Sequence, residues 1–360
     1  MGTGQPPTVG AIELGRHVFR EVVRPAMERV CPRHLEAAAC GRFGMGSECL
    51  GMDDAVSRDH HWGPKVDILL PDGLFRETDP AIWSQVAARF PASFQGFRLE
   101  AGYVGGPGLA PEGIGSFLSR TIGRTTPPGS DTDWLDIPEE DIVHVVNGEV
   151  WHDPSGGFSR IRAVFEGYYP DAVWKRRIAH WCRYASGMGL YWMQRARLRD
   201  NLVFLHTSFA NTLKRTIELA FLLNRTYFPY DKWLYPLFRR LDHPAPAMVP
   251  LIDEATADGA TWERRFEIME TLHELLDQRM VELGLVRPHP RFKPHATSGY
   301  RLLEWCYRDL LHAIPRELFT HVPVWDQKYF EAFTTGYVAD LTDDVWQDML
   351  HLEESDDTRS

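Results

Sequence analysis

The chain has 360 residues, 44% of them hydrophobic and 25% charged, with a formal net charge of −11. That length supports about two domains of ordinary size, each with a sizeable core, and the acidic balance argues against a surface that tracks a nucleic-acid backbone. Its five cysteines, Cys31, Cys40, Cys49, Cys182 and Cys306, are scattered, odd in number and without a C-x-x-C pair, which points away from a disulfide framework and from a thiolate zinc site.

The first residues, MGTGQPPTVG, show no basic region followed by an apolar core, and no apolar run approaches the ~18 residues of a membrane helix. A cytoplasmic protein with no membrane partner is expected. Gly10 to Ala39 reads as helical, with Leu14, Val18, Val22 and Val23 at helical spacing and Pro25 ending or kinking the first segment. A helix is then expected to lead into GMGSECLGMDDAVSRDHHWGPKVDILL, Gly44 to Leu70. Its last part, Val66 to Leu70, is a short apolar run closed by the turn signal PDG and reads as a strand. FRLEAGYV (Phe97 to Val104) and DIVHVVNGEVW (Asp141 to Trp151) are the other strand candidates. Between them, Gly105 to Trp134 is rich in Gly, Pro, Ser and Thr and reads as a long loop.

From about Tyr169 the composition turns to aromatic-rich helices. In FANTLKRTIELAFLLN, Phe209, Leu213, Ile217, Ala220 and Phe221 fall on one face. In TWERRFEIMETLHELLDQRMVELG, Trp262, Phe266, Met269, Leu276 and Met280 share a face and Gly284 supplies the stop. These stripes read as core. The expected class is α+β: a domain over 1–165 with a mixed sheet and helices, a helical domain over 166–350, and a solvated, disordered acidic tail over 351–360.

Chemistry-bearing residue types gather in the stretch from Gly44. Gly46-Ser47 can offer backbone N–H groups and a hydroxyl to a phosphate, since Gly permits close approach and Ser donates without bulk. Ser57, Asp59 and His61 follow within one loop before the strand. A carboxylate beside a phosphate-binding turn has a chemical reason, because a divalent cation bridges carboxylate and phosphate oxygens. Arg42, Arg58 and Lys65 add positive charge nearby, and Lys214 and Lys232 are comparable cations on the helical side. Asp53 and Asp54 read as serving the loop. Ser-His-Asp and Cys-His catalysis find no motif, there being no G-x-S-x-G.

Gly46-Ser47, Leu50-Gly51, Asp53-Asp54 and Ser57-Arg58-Asp59-His60-His61-Trp62-Gly63-Pro64 resemble the active-site signature of the nucleotidyltransferase fold, the polymerase-beta-like superfamily. They are most similar to a bacterial branch known as a domain of unknown function, in which the stretch reads Ser-Arg-Asp-His-Asp-Trp-Gly-Pro. YYPDAVW (Tyr168 to Trp174) and FLLNRTYFPYDKWL (Phe221 to Leu234) extend the likeness over most of the chain. The resemblance implies a nucleotidyltransferase-like first domain in which a Gly-Ser turn holds nucleotide phosphates and two carboxylates, one residue apart, bind a divalent metal. A third carboxylate comes from a later strand, and the helical domain supplies the acceptor pocket.

Carried onto this sequence, the resemblance implies that Gly46, Ser47, Ser57, Arg58, Lys65 and Lys214 contact the nucleotide. Asp59 is the metal ligand and catalytic carboxylate, and Glu100 or Asp67 is the third carboxylate, with Glu100 favoured as the one on a separate strand. The chain departs from the pattern at His61, which stands where the family has its second carboxylate. An imidazole brings one lone pair and no negative charge, suits Mn²⁺ or Zn²⁺ better than Mg²⁺, and cannot bridge two metals. The expected activity is metal-dependent transfer of a nucleoside monophosphate from a nucleoside triphosphate such as ATP to a small-molecule acceptor, with Mg²⁺ or Mn²⁺ and with His61 an atypical ligand or an acid/base group. The alternatives are an inactive relative that binds a nucleotide or metabolite, and non-redox chemistry in specialised metabolism on the same scaffold.

Overall fold

The computed structural model describes residues 10–54, 56–58, 62–99, 108–288, 302–321 and 323. The chain is α+β, with a small mixed four-stranded sheet and a helical C-terminal region. It divides into two compact units, Met1–Pro127 with Glu139–Tyr168, and Pro128–Pro138 with Tyr169–Ser360. The first unit ends three residues beyond the expected 165, and the segment 128–138 goes with the second. The tail 351–360 lies outside the described residues.

The first unit opens with α1 (Ala11–Val18), a π-helical turn (Phe19–Val23), α2 (Arg24–Val30) and α3 (Pro32–Ala37). Pro25 does not end the helix. It occupies the first turn of α2, where its missing N–H costs least, and the π turn absorbs the mismatch, with the N–H of Arg24 reaching back five residues to the Phe19 carbonyl. The element leading into Gly44 is a strand rather than a helix: β1 (Ala39–Arg42) pairs antiparallel with β2 (Val66–Leu70), Gly41 facing Asp67. Strand periodicity sends Val66, Ile68 and Leu70 to one face, against the apolar side chains of α1, α2 and the π turn, and sends Asp67 to the other.

After α4 (Asp72–Glu77) and α5 (Ala81–Ala87), a two-residue pair, β3 (Ser93–Phe94) and β4 (Phe97–Arg98), holds all that is described of the expected strand at Phe97 to Val104. The Gly- and Pro-rich stretch expected as a loop contains β5 (Leu109–Gly113), parallel to β2, and α6 (Ile114–Ile122). Ile114, Phe117, Leu118 and Ile122 carry helical spacing there, and Gly123, in the left-handed region, ends the helix.

In the segment belonging to the second unit lies α7 (Asp131–Leu135). The strand expected at Asp141 to Trp151 splits: α8 (Glu139–Val146), a turn at Asn147-Gly148, then β6 (Glu149–His152) beside β1, followed by α9 (Gly157–Glu166). Ile142, Val143, His144 and Val145 are all buried, so this part of the helix shows no alternation of polar and apolar residues, and its β-branched run imitates a strand. Three acids, Glu139, Glu140 and Asp141, fill its first turn, where a helix dipole favours negative charge. The sheet order is β5-β2-β1-β6. Phe43, Phe117 and Phe158 pack ring to ring at 4.8–5.4 Å between centroids.

In the second unit, α10 (Asp171–Ala185), a π turn (Ser186–Leu190), α11 (Tyr191–Arg197), α12 (Leu202–Leu223), α13 (Asp231–Phe238), α14 (Ala245–Thr256), α15 (Trp262–Glu282), α16 (Leu302–His312) and α17 (Arg316–Thr320) form a helical bundle. The stripes read from the sequence are internal for Phe209, Leu213, Ile217, Ala220, Phe221, Met269, Leu276 and Met280, while Trp262 and Phe266 are half-buried. Arg177 of α10 donates to the carbonyls of Trp134 and Ile137, at 2.8 Å each, and Arg176 to those of Leu318 and His321. Among the described residues no helix is long and apolar enough to cross a membrane.

Candidate functional site

The chain leaves β1 at Arg42 and turns at once through Gly44, Gly46 and Gly51, all at positive φ, around a short 3-10 turn at Glu48–Leu50. Gly46 is required on two counts. Its φ is +153°, and a Cβ there would lie 2.6–2.7 Å from the Glu48 carboxylate.

Arg42 is the buried centre of this turn. Its Nε and Nη2 donate to Glu48 Oε1 at 2.9 and 2.6 Å, its Nη1 to Asp67 Oδ2 at 3.0 Å and to the Phe43 carbonyl at 2.8 Å, and its Nη2 also to the Met45 carbonyl. Asp67 Oδ2 accepts the Phe43 N–H as well. Burial pushes the Asp67 carboxyl up from its ordinary range, and Arg42 and the Phe43 N–H pull it part of the way back. Burial also lowers Lys65, helped by the neighbouring charge of Arg42, and raises the Cys49 thiol to about 12.

A second clamp comes from the Asn147-Gly148 turn. Asn147 Oδ1 accepts the Gly44 N–H at 3.0 Å while its Nδ2 donates to the Gly44 carbonyl at 2.7 Å, and His144 Nδ1 lies 3.4 Å from the same carbonyl. Gly148 donates to the Cys49 carbonyl, and a Cβ on it would sit 2.0 Å from the Arg42 carbonyl oxygen. The two turns therefore interlock, and each fixes the other's backbone. Asp53 ties the following loop down by accepting the Ala11 N–H at 2.6 Å and Trp62 Nε1 at 2.8 Å, and Asp54 Oδ1 accepts the Ser57 N–H.

Beside the turn is a cleft of about 410 Å³ whose lining includes Gly10, Glu13, Arg16, Glu48, Asp53 and Glu149. Arg16 and Glu149 form an exposed bidentate pair across it.

Of the residues singled out in the sequence, Gly46, Ser47 and Asp67 come together around Arg42. Lys65 lies within electrostatic reach of the same group, and Ser57 and Arg58 form a second short 3-10 turn in the loop. Asp59, His61 and Glu100 lie outside the described residues. Lys214 belongs to the second unit, where it pairs with Asp231 at 2.5 Å and approaches Glu218 at 3.7 Å. Glu218 is buried and also receives Arg215 and Trp181 Nε1, each at 2.8 Å. Burial raises its carboxyl, against the pull of Arg215 and Lys214.

Asn147 and the clamping role of Arg42 are what the sequence reading misses. Asn-Gly is a turn signal, but it was enclosed in a run of β-branched residues. As for a metal, no group of three or more His, Cys, Asp or Glu among the described residues is placed to hold one. The two carboxylates nearest the Gly46-Ser47 turn are compensated by Arg42, so the described donor set alone does not fit a divalent cation.

A family model described as Domain of unknown function (DUF4037) matches residues 134–234. The match runs from Trp134 in α7 to Leu234 in α13 and includes Asn147, Arg177, Lys214 and Glu218; Gly46 to Asp67 precede it. A search of curated proteins finds no match to the chain.

Proposed function

We propose that the chain is a cytoplasmic nucleotidyltransferase of the polymerase-beta-like kind, moving a nucleoside monophosphate from a nucleoside triphosphate to a hydroxyl or amine of a small acceptor. The observation that carries this reading is the Gly46-Ser47 turn, placed directly after β1 and held by Arg42, Glu48, Asp67 and Asn147. A turn fixed in this way can present its backbone to phosphate oxygens with little reorganisation on binding, and Ser47 adds a hydroxyl beside it. Ser57, Arg58 and Lys65 supply further polar and cationic contacts to the triphosphate.

The metal ligands in this reading come from Asp59 and His61, in the segment that enters β2, with Glu100 as the further carboxylate. Asp67 is the weaker choice, since its Oδ2 is taken up by Arg42 and the Phe43 N–H. When bound, Mg²⁺ or Mn²⁺ offsets the charge of the triphosphate and of the pyrophosphate that leaves.

Calorimetric titration with each nucleoside triphosphate, in Mg²⁺ and in Mn²⁺, tests the proposal. Metal-dependent binding that is lost in Ser47→Ala and in Asp59→Asn is expected; absence of binding under either metal overturns it. His61 in place of a carboxylate favours a second reading, a fold that binds nucleotide or metabolite without transfer. The His61→Asp variant separates the two. Tighter Mg²⁺-dependent binding identifies a lost carboxylate and supports the second reading, whereas loss of Mn²⁺-dependent binding gives His61 a ligand role of its own and supports the first.

A further inference from the structure

The corner between α11 and α12 exposes more apolar surface than its own folding requires. Leu198, Leu202 and Val203 are 56, 54 and 77% exposed, and Trp192 and Phe204, whose rings lie 6.1 Å apart, continue the patch. Local structure among the described residues does not explain them. Asn201 caps α12 by accepting the Phe204 N–H, and the inward face of the helix is served by Leu205, Ser208 and Phe209. A contiguous apolar surface that serves no core marks an interface.

The charges around it contain both signs. Arg195, Arg197 and Arg199 stand at the rim with Asp200 and Glu263, and Arg197 already reaches Glu263 at 2.9 Å and Asp200 at 3.8 Å within the chain. Two-fold association brings a patch against its own image, so it needs an apolar centre and a rim in which each sign can meet the other. This corner meets both conditions. An anionic bilayer fits less well, because the chain carries −11 overall and Asp200 stands at the tip of the turn, 90% exposed by its side chain.

We propose that the α11–α12 corner is a self-association surface, covered in solution by the same corner of a second copy of this chain. Trp192, Leu202, Val203 and Phe204 form the buried centre, and arginines of one copy meet Asp200 and Glu263 of the other. This inference does not rest on the nucleotidyltransferase reading, and either can fail without the other.

Sedimentation velocity of the full chain across a wide concentration range tests it. A monomer–dimer equilibrium is expected, with Val203→Glu raising the dissociation constant by about tenfold or more and circular dichroism confirming that the variant is folded. Arg199→Glu changes an exposed side chain, so it should leave the fold intact and weaken the dimer most at low salt. A chain that stays monomeric throughout overturns the proposal, as does a dimer indifferent to Val203→Glu. Binding of a monomeric chain to phosphatidylglycerol vesicles, abolished by Val203→Glu, would also overturn it and assign the corner to lipid.

Discussion

Arg42 in the first unit and Arg177 in the second are both buried, yet different acceptors meet them. Arg42 is enclosed by two carboxylates, Glu48 and Asp67, besides two carbonyls. Arg177 donates to main-chain carbonyls at Trp134 and Ile137 and lies 5.5 Å from the Tyr169 ring centre. A carboxylate brings a countercharge to a buried guanidinium, and a carbonyl satisfies its N–H groups. Both arginines weigh on a neighbouring cationic group, Arg42 on Lys65 and Arg177 on His180. His180 is held well below its ordinary pKa, by burial first and then by Arg176, Arg177 and Arg215. In the first unit the ions position a turn; in the second they brace helices.

The largest break in this comparison is Arg42→Met. Removing the guanidinium strands Glu48 and Asp67 inside the unit, and a loss of about 3–5 kcal/mol is expected for a buried pair stripped of one partner. The loss should also depend on pH in a defined sense. Without Arg42, only the Phe43 N–H and the charge of Arg120 still oppose burial at Asp67, so its folded pKa lies further above its unfolded value. The variant's stability must then rise as pH falls through that folded pKa. Urea unfolding at neutral and at mildly acidic pH should show the gap to the parent protein narrowing in acid. A gap that stays constant would mean that the stranded carboxylates are not the origin of the cost.

The same contrast shows what could be read from the sequence. Val66 to Leu70 was legible as a strand because five apolar-rich residues end in a strong turn signal, and the stripe from Phe209 to Phe221 was legible from its first half, where one helix face is buried and the other is not; from Thr216 on the helix is buried all round. α8 was hidden, since four consecutive buried residues, Ile142 to Val145, erase periodicity and leave only the β-branched residues to be counted. α6 was hidden by its surroundings: glycines and prolines at both ends outweighed four well-spaced apolar residues. Gly46-Ser47 was legible as a turn with polar groups to offer. That Arg42, Asp67 and Asn147 hold it was not, because strand pairing brings together residues 25 and 103 positions apart, a separation that no local pattern records.

A smaller effect is expected from Arg177→Met, which leaves the carbonyls of Trp134 and Ile137 without the guanidinium while the fitted apolar chain preserves most of the packing. A cost of about 1–3 kcal/mol follows from the Ile137 carbonyl losing this donor, while the Trp134 carbonyl still accepts the Ile137 N–H. Amide hydrogen exchange locates it: protection should fall first in the segment 131–138, which Arg177 ties to α10. Loss spread evenly over the sheet of the first unit would contradict the brace assigned to Arg177.

The gentlest probe is pH acting on the parent protein, and it sets His273 against Asp67 by sign. His273 of α15 is fully buried, its Nε2 3.4 Å from Thr216 Oγ1, and burial lowers its pKa to about 3. A depressed folded pKa keeps the native ring neutral while the unfolded ring takes up a proton below 6.5. The second unit should therefore lose stability as pH falls from that value, by up to about 1.4 kcal/mol per pH unit from this one group. Asp67 acts in the opposite sense, because its raised folded pKa adds stability to the first unit on acidification. His273→Gln, which keeps a partner for Thr216 but does not titrate, should flatten the slope of unfolding free energy against pH by about one proton. A slope unchanged in His273→Gln would show that the histidine's burial does not contribute to the acid limit.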